Sequence, residues 1–259
     1  QVGALVVNLG APCMVLDTLS SMEIGPSAFG AIVLASALCH AAFFLGGWAL
    51  LRAIRQPVGA YLPGLVFGNT GNLGLPLCLF AFGEVGLSIA MSYFVLSTIL
   101  LFTLSPQFAT GKVSLAVLPM APVVWALALA LALMFTGTPL PEWLKRAVHL
   151  LGGMMIPLML LSLGVSLAGL KLHSLKVGAA LAAVRLGMGT AVGFAVAALL
   201  GLEGVERGVV VLSSAMPVAV FSYLFAVRYR RQPDEVASMV ILSTALSFLT
   251  LPLLLAVLL

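Results

Sequence analysis

Apolar residues run along this chain in blocks of about twenty, separated by short polar breaks, from one end to the other. Wound as a helix, such a block crosses about 30 Å of hydrocarbon. Nine blocks can be marked, at 2–19, 29–51, 61–82, 85–108, 114–135, 143–168, 177–200, 208–227 and 236–259. Unpaired backbone groups are costly in lipid, so each block predicts a membrane-spanning helix rather than an open strand. The links are short, and no polar domain is inserted between blocks.

Composition agrees with the pattern. Apolar residues make up 62% of 259 and charged residues 8%, with a mean hydropathy of +1.22. A soluble domain needs about 25% charged residues to cover its surface, so a soluble enzyme or nucleic-acid binder is excluded. The net charge of +4 comes from basic residues scattered singly between apolar blocks, a pattern of membrane topology rather than nucleic-acid binding. With the 51–61 link cytoplasmic, that side collects Arg52, Arg55, Lys112, Lys171, Lys176, Arg228, Arg230 and Arg231, against Lys145, Arg146 and Arg207 outside. The first visible helix then starts inside and the C-terminus lies outside, as expected in a prokaryotic plasma membrane. Cys13, Cys39 and Cys78 lie in apolar blocks without CxxC spacing and read as buried thiols.

An internal repeat organises the blocks. Residues 91–106 align without a gap on 237–252, sharing Leu-Ser-Thr and a closing Pro. Pro12 faces Pro157 and Pro76 faces Pro217 at similar offsets. Matched blocks are five apart, and an odd number of spans inverts the second copy, an arrangement found in secondary transporters. The expected fold is therefore an all-α polytopic membrane protein with an inverted five-plus-five helix repeat. Residues 1–108 form the first repeat, 109–113 a cytoplasmic linker and 114–259 the second repeat. The first repeat shows four blocks and the second five, so its first helix is expected upstream of Gln1.

Two blocks are interrupted at matching depth. Gly68-Asn69-Thr70-Gly71-Asn72-Leu73-Gly74-Leu75-Pro76 carries three Gly, two Asn and a Pro in mid-block. Inside a helix Gly costs about 1 kcal/mol and Pro about 3 kcal/mol relative to Ala, so this stretch should unwind. Its partner is Ser213-Ser214-Ala215-Met216-Pro217, with Ser222 beyond. Two such breaks would cross near the bilayer centre and offer helix N-termini to an anion. The 68–74 stretch lacks the Lys-Ser/Thr of a phosphate loop and does not fit GxGxxG.

Arg185 is the one basic residue deep in a block. It is open to substrate binding, to pairing with a helix carbonyl, or to snorkelling. His40 falls at the corresponding place in the first half, as a packing residue or a proton carrier. Asn8 could line the cavity or bond a neighbour, and Asp17 and Glu84, near block ends, are expected to be solvated.

At these residues the chain resembles the auxin efflux carrier family, within the bile-acid-transporter-like superfamily. The specific stretches are Asn69 to Leu77, Pro157 to Gly164, Arg185, Ala215-Met216-Pro217 running to Phe221, Phe225-Ala226 and Pro233-Asp234. The likeness covers essentially the whole chain and implies crossed broken helices, a scaffold and an elevator-like transport domain. It also implies small organic anions as cargo: auxin in plants, and carboxylates such as malate or malonate in bacteria. Asn69 matches the Asn that contacts the substrate carboxylate in the plant carriers. The long cytosolic loop of many plant members is replaced by a few residues around Lys112, which points to a compact prokaryotic member.

The expected function is secondary transport of small organic anions by alternating access. Asn69, Asn72, Pro76, Ser213, Ser214, Pro217, Ser222 and Arg185 are the expected substrate site. The expected partners are the anion and the lipid bilayer, with a homodimer left open and nucleic acid excluded. No cofactor or metal is expected; coupling to a proton or sodium gradient is open. The alternative is a membrane sensor or channel with the same fold. An intramembrane enzyme is disfavoured, since no HExxH, Ser–Lys or Ser–His arrangement or paired Asp lies within the blocks.

Overall fold

The structure, a computed structural model, describes residues 6–20, 26–110, 122–136, 138–168 and 175–259. Its elements are α1 (Ala11–Ser20, after a π-type turn at Val6–Gly10), α2 (Pro26–Ala53), α3 (Val58–Val66) and α4 (Leu75–Thr110, after a second π-type turn at Thr70–Gly74). There follow α5 (Pro122–Thr136), α6 (Glu142–Gly153), α7 (Met155–Ala168), α8 (Leu175–Leu199), α9 (Gly204–Ser214), α10 (Val220–Tyr229) and α11 (Pro233–Leu258). Residues 111–113 of the expected linker, Lys171, and the start of the 114–135 block lie outside the described residues.

Among the described residues, four helical stretches are long and apolar enough to cross a membrane: Phe29–Ala53, Thr70–Ser105, Lys176–Leu199 and Pro233–Leu258. Phe80, Leu161, Phe248, Leu249 and Leu253 all point outward. Water would not tolerate so much exposed apolar surface on a monomer. The chain is a multi-pass helical membrane protein.

Three further blocks are interrupted among the described residues. Blocks 61–82 and 208–227 are each broken, α3 ending at Val66 and α9 at Ser214. Block 143–168 divides into α6 and α7 at Met154. Glu142, Lys145, Arg146 and His149 recur at helical spacing on α6 and line a cavity. That polar stripe makes α6 a wall of the cavity. Between blocks 61–82 and 85–108 the chain turns at Gly83, with φ 66° and ψ −160°, a conformation essentially restricted to glycine.

The helices pack in two groups. In one, α8 runs along α11 and α9, and α2, α3, α4 and α10 close around them. Gly189 of α8 lies so near the Ser214 carbonyl that a Cβ there would overlap it. Small residues let membrane helices approach this closely. In the other group α1 packs against α5 and α6, while α7 reaches the 70–74 turn. Both breaks lie in the first group, inside its buried core.

Candidate functional site

The two breaks meet. Residues 67–69 and 217–219 run antiparallel as a single bridge centred on Gly68 and Val218. The Asn69 N–H donates to the Pro217 carbonyl at 2.7 Å, and the Ala219 N–H to the Phe67 carbonyl at 3.0 Å. The Val218 N–H donates to Ser243 Oγ of α11 at 3.0 Å. Opening two helices in an apolar core would leave backbone groups unpaired, and each break pairs the other's. Beyond the crossing, the Asn69 carbonyl accepts the Gly74 N–H at 3.0 Å, closing the wide turn that starts α4.

Arg185 of α8 lies at this crossing. Its side chain is fully buried, 1% exposed, and it is the only Asp, Glu, Lys or Arg buried among the described residues. A Cβ on Gly68 would overlap its Nη2, so glycine there makes room for the guanidinium. The carbon Cζ sits 4.6 Å from the centre of the Phe43 ring. Nε and Nη1 have no hydrogen-bond acceptor, and Nδ2 of Asn69, 5% exposed, also lacks a partner. Buried donors and charges are normally paired, because leaving one unpaired costs several kcal/mol. The crossing thus presents a positive charge and amide and guanidinium donors that the described protein does not satisfy.

A hydrogen-bonded network backs it. Ser214 Oγ lies 3.3 Å from Cys39 Sγ and 3.1 Å from the Tyr93 hydroxyl. Ser36 Oγ donates to the Tyr93 carbonyl at 3.2 Å. His40 bonds the Ser36 carbonyl through Nδ1 and Ser97 Oγ through Nε2, at 2.7 and 3.1 Å. The network ties α2, α4 and α9 together beside the breaks.

The sequence-derived site residues separate into a core and a periphery. Asn69 and Pro217 are bonded through their backbones, with Arg185 against Gly68 between them. Ser214 faces Tyr93, and Ser213 bonds the Cys78 thiol. Ser222 is buried two residues into α10, its hydroxyl unpartnered. Pro76 is buried at the second position of α4, away from the pairing residues, whereas Pro217 lies in the crossing itself. Asn72 is half-buried on the 70–74 turn. Phe43, Tyr93 and Ser243 were not singled out by sequence, and Gly68 was read only as one of the glycines of the first break. Ser97 and Ser243 occupy the same place in the repeated Leu-Ser-Thr, a signal that could have found both.

A cavity of about 780 Å³ opens at the seam between the two helix groups. It is lined by Asp17 of α1, Glu84 and Ser88 of α4, and the polar stripe of α6. Asp17 is not simply solvated as expected: it is 19% exposed and 3.0 Å from His149 Nδ1, joining α1 to α6. Glu84 and Asn8 are exposed.

Comparison with known proteins matches residues 107–255 to the family described as membrane transport protein. The chain is 28% identical over 221 residues to an uncharacterised transporter of Methanocaldococcus jannaschii, covering 81% of this chain and 71% of that protein. It is 27% identical over 263 residues to an uncharacterised transporter of Methanothermobacter thermautotrophicus, covering 96% of this chain and 85% of that one. With the family match spanning more than half its length, the chain belongs to the membrane transport protein family, the auxin-efflux-carrier-like group whose motifs it carries.

Proposed function

We propose that the chain is a secondary carrier of small organic anions in a prokaryotic plasma membrane, with a carboxylate received at the crossing of the broken helices. One observation carries this reading: a buried guanidinium whose Nε and Nη1 lack acceptors, set beside that crossing. A carboxylate supplies the missing charge and an acceptor for these donors, as a guanidinium favours. Asn69 Nδ2 adds a second donor, and the N-termini of α4 and α10 contribute their positive dipole ends. Ser213, Ser214 and Ser222 supply hydroxyls around the breaks, Pro76 opens α4, Pro217 keeps its own stretch out of helical form, and Asn72 marks the outer edge.

Alternating access would come from movement between the two helix groups, with the seam cavity as the aqueous approach from one side. Binding energy spent equally in both states moves nothing, so the anion must favour passage of the loaded form. The test is uptake of labelled malonate, malate and benzoate by proteoliposomes under imposed proton, sodium and voltage gradients. Saturable uptake that falls about tenfold or more in a folded Asn69→Ala protein fits loss of one charge-assisted hydrogen bond. Currents far above carrier turnover would instead make the protein a channel, and binding without flux a sensor.

A further inference from the structure

His40 and Arg185 share one neighbour. The His40 ring is centred 6.0 Å from the Phe43 ring and Arg185 Cζ 4.6 Å from it, so the two basic groups lie within roughly 11 Å of each other. Phe67 and Tyr93 complete the walls around the imidazole, at 5.8 and 5.7 Å. The groups facing His40 are Ser36 of its own helix, Tyr93 and Ser97 of α4, and Arg185 of α8. No Asp or Glu is buried among the described residues. Arg185 is therefore the fixed charge His40 feels, and the described protein supplies no buried counter-charge to either.

The hydrogen bonds of His40 suit two protonation states. A carbonyl only accepts, so the 2.7 Å contact with the Ser36 carbonyl puts a proton on Nδ1. In the neutral ring Nε2 then accepts from the Ser97 hydroxyl at 3.1 Å. In the charged ring Nε2–H donates to the same oxygen, which accepts once the Ser97 hydroxyl hydrogen turns away. Neither state leaves a ring nitrogen unpartnered. A hydroxyl rotor opposite a buried imidazole thus lets the ring take up a proton without breaking the site.

We propose that His40 is a proton-binding site linked to the anion site at Arg185, so that proton binding and anion binding strengthen each other. This inference rests on the anion reading of the crossing. With the site empty, a proton on His40 places a second positive charge beside Arg185. Two unit charges roughly 11 Å apart, at an effective dielectric near 20, change proton affinity about tenfold. A bound carboxylate cancels the guanidinium charge and removes that repulsion. Linkage is reciprocal, so the proton strengthens anion binding by the same factor. Acidification therefore tightens the anion, and the proton comes from solvent and leaves to solvent, with no other group oxidised or reduced.

The experiment is calorimetric binding to the full chain in lipid nanodiscs between about pH 4 and 8, so that the acid end reaches below the ordinary histidine range. The probes are malonate, benzoate and benzenesulfonate; the sulfonate stays ionised throughout, so its pH dependence belongs to the protein. We expect affinity about tenfold higher at the acid end, net proton uptake on binding, and an imidazolium signature in ¹⁵N-histidine spectra on adding anion. His40→Gln flattens the pH dependence. The milder Ser97→Ala, which removes the Nε2 partner, reduces it with the fold intact. Arg185-dependent binding that ignores pH, takes up no proton and is the same in His40→Gln overturns the coupling alone. If no probe binds, or if binding is untouched by Arg185→Gln, the anion site is refuted and the coupling falls with it.

Discussion

Arg185 was legible in the sequence because a charge deep in an apolar block has few cheap explanations. Asn69 was legible because it stands among glycines where lipid would favour leucine. Gly68 was not, since its role depends on what lies across the crossing: a guanidinium where any side chain would begin. Gly68→Ala should therefore displace Arg185, lower stability by about 1–3 kcal/mol, and weaken anion uptake more than its one methyl suggests. Thermal unfolding and proteoliposome flux on the same preparation check this, and an unchanged protein would mean the guanidinium is free to move away. Phe43 and Tyr93 escaped notice for a related reason. An aromatic residue in an apolar run is ordinary until its neighbour turns out to be a buried cation.

The first break could be read from Gly, Asn and Pro clustered in mid-block, each unfavourable inside a helix, and the second from its repeat-matched Pro217. How the breaks are satisfied could not be read. That depends on residues about 150 apart in sequence exchanging backbone hydrogen bonds, and on one serine of α11. Ser243→Ala leaves the Val218 N–H buried without its partner, which should cost about 1–3 kcal/mol in reversible unfolding. Loss of under a tenth of that would show that the crossing does not need the tether. On α8, Gly189→Val forces a side chain onto the Ser214 carbonyl and should push α9 away, lowering the melting temperature. Gly187, with nothing within 4 Å of its would-be Cβ, provides the contrast. Gly187→Ala should be neutral or stabilise by up to about 1 kcal/mol through helix propensity. The polar stripe of α6 was hidden because hydropathy averages over a window, and the leucines around it outvoted it.

For the whole molecule, composition alone gave the membrane, and scattered Arg and Lys gave an orientation. That orientation has a direct check: a cysteine at Arg230 should react with an impermeant maleimide from the cytoplasmic side, and one at Glu142 from the outside. The background should be low, since Cys13, Cys39 and Cys78 are all buried. Labelling of both positions from one side would overturn the topology. What the sequence could not give is the seam between the two helix groups, because packing partners follow from shape rather than periodicity. The central claim is that a carboxylate binds the unpartnered guanidinium at the crossing and is carried across. The most direct test is uptake of labelled malonate and benzoate by proteoliposomes holding equal amounts of folded wild type and Arg185→Gln. Saturable uptake in the wild type, lowered about tenfold to a hundredfold in the variant, is the predicted result, matching loss of a charged hydrogen-bond donor. Equal uptake by the two proteins would contradict the account.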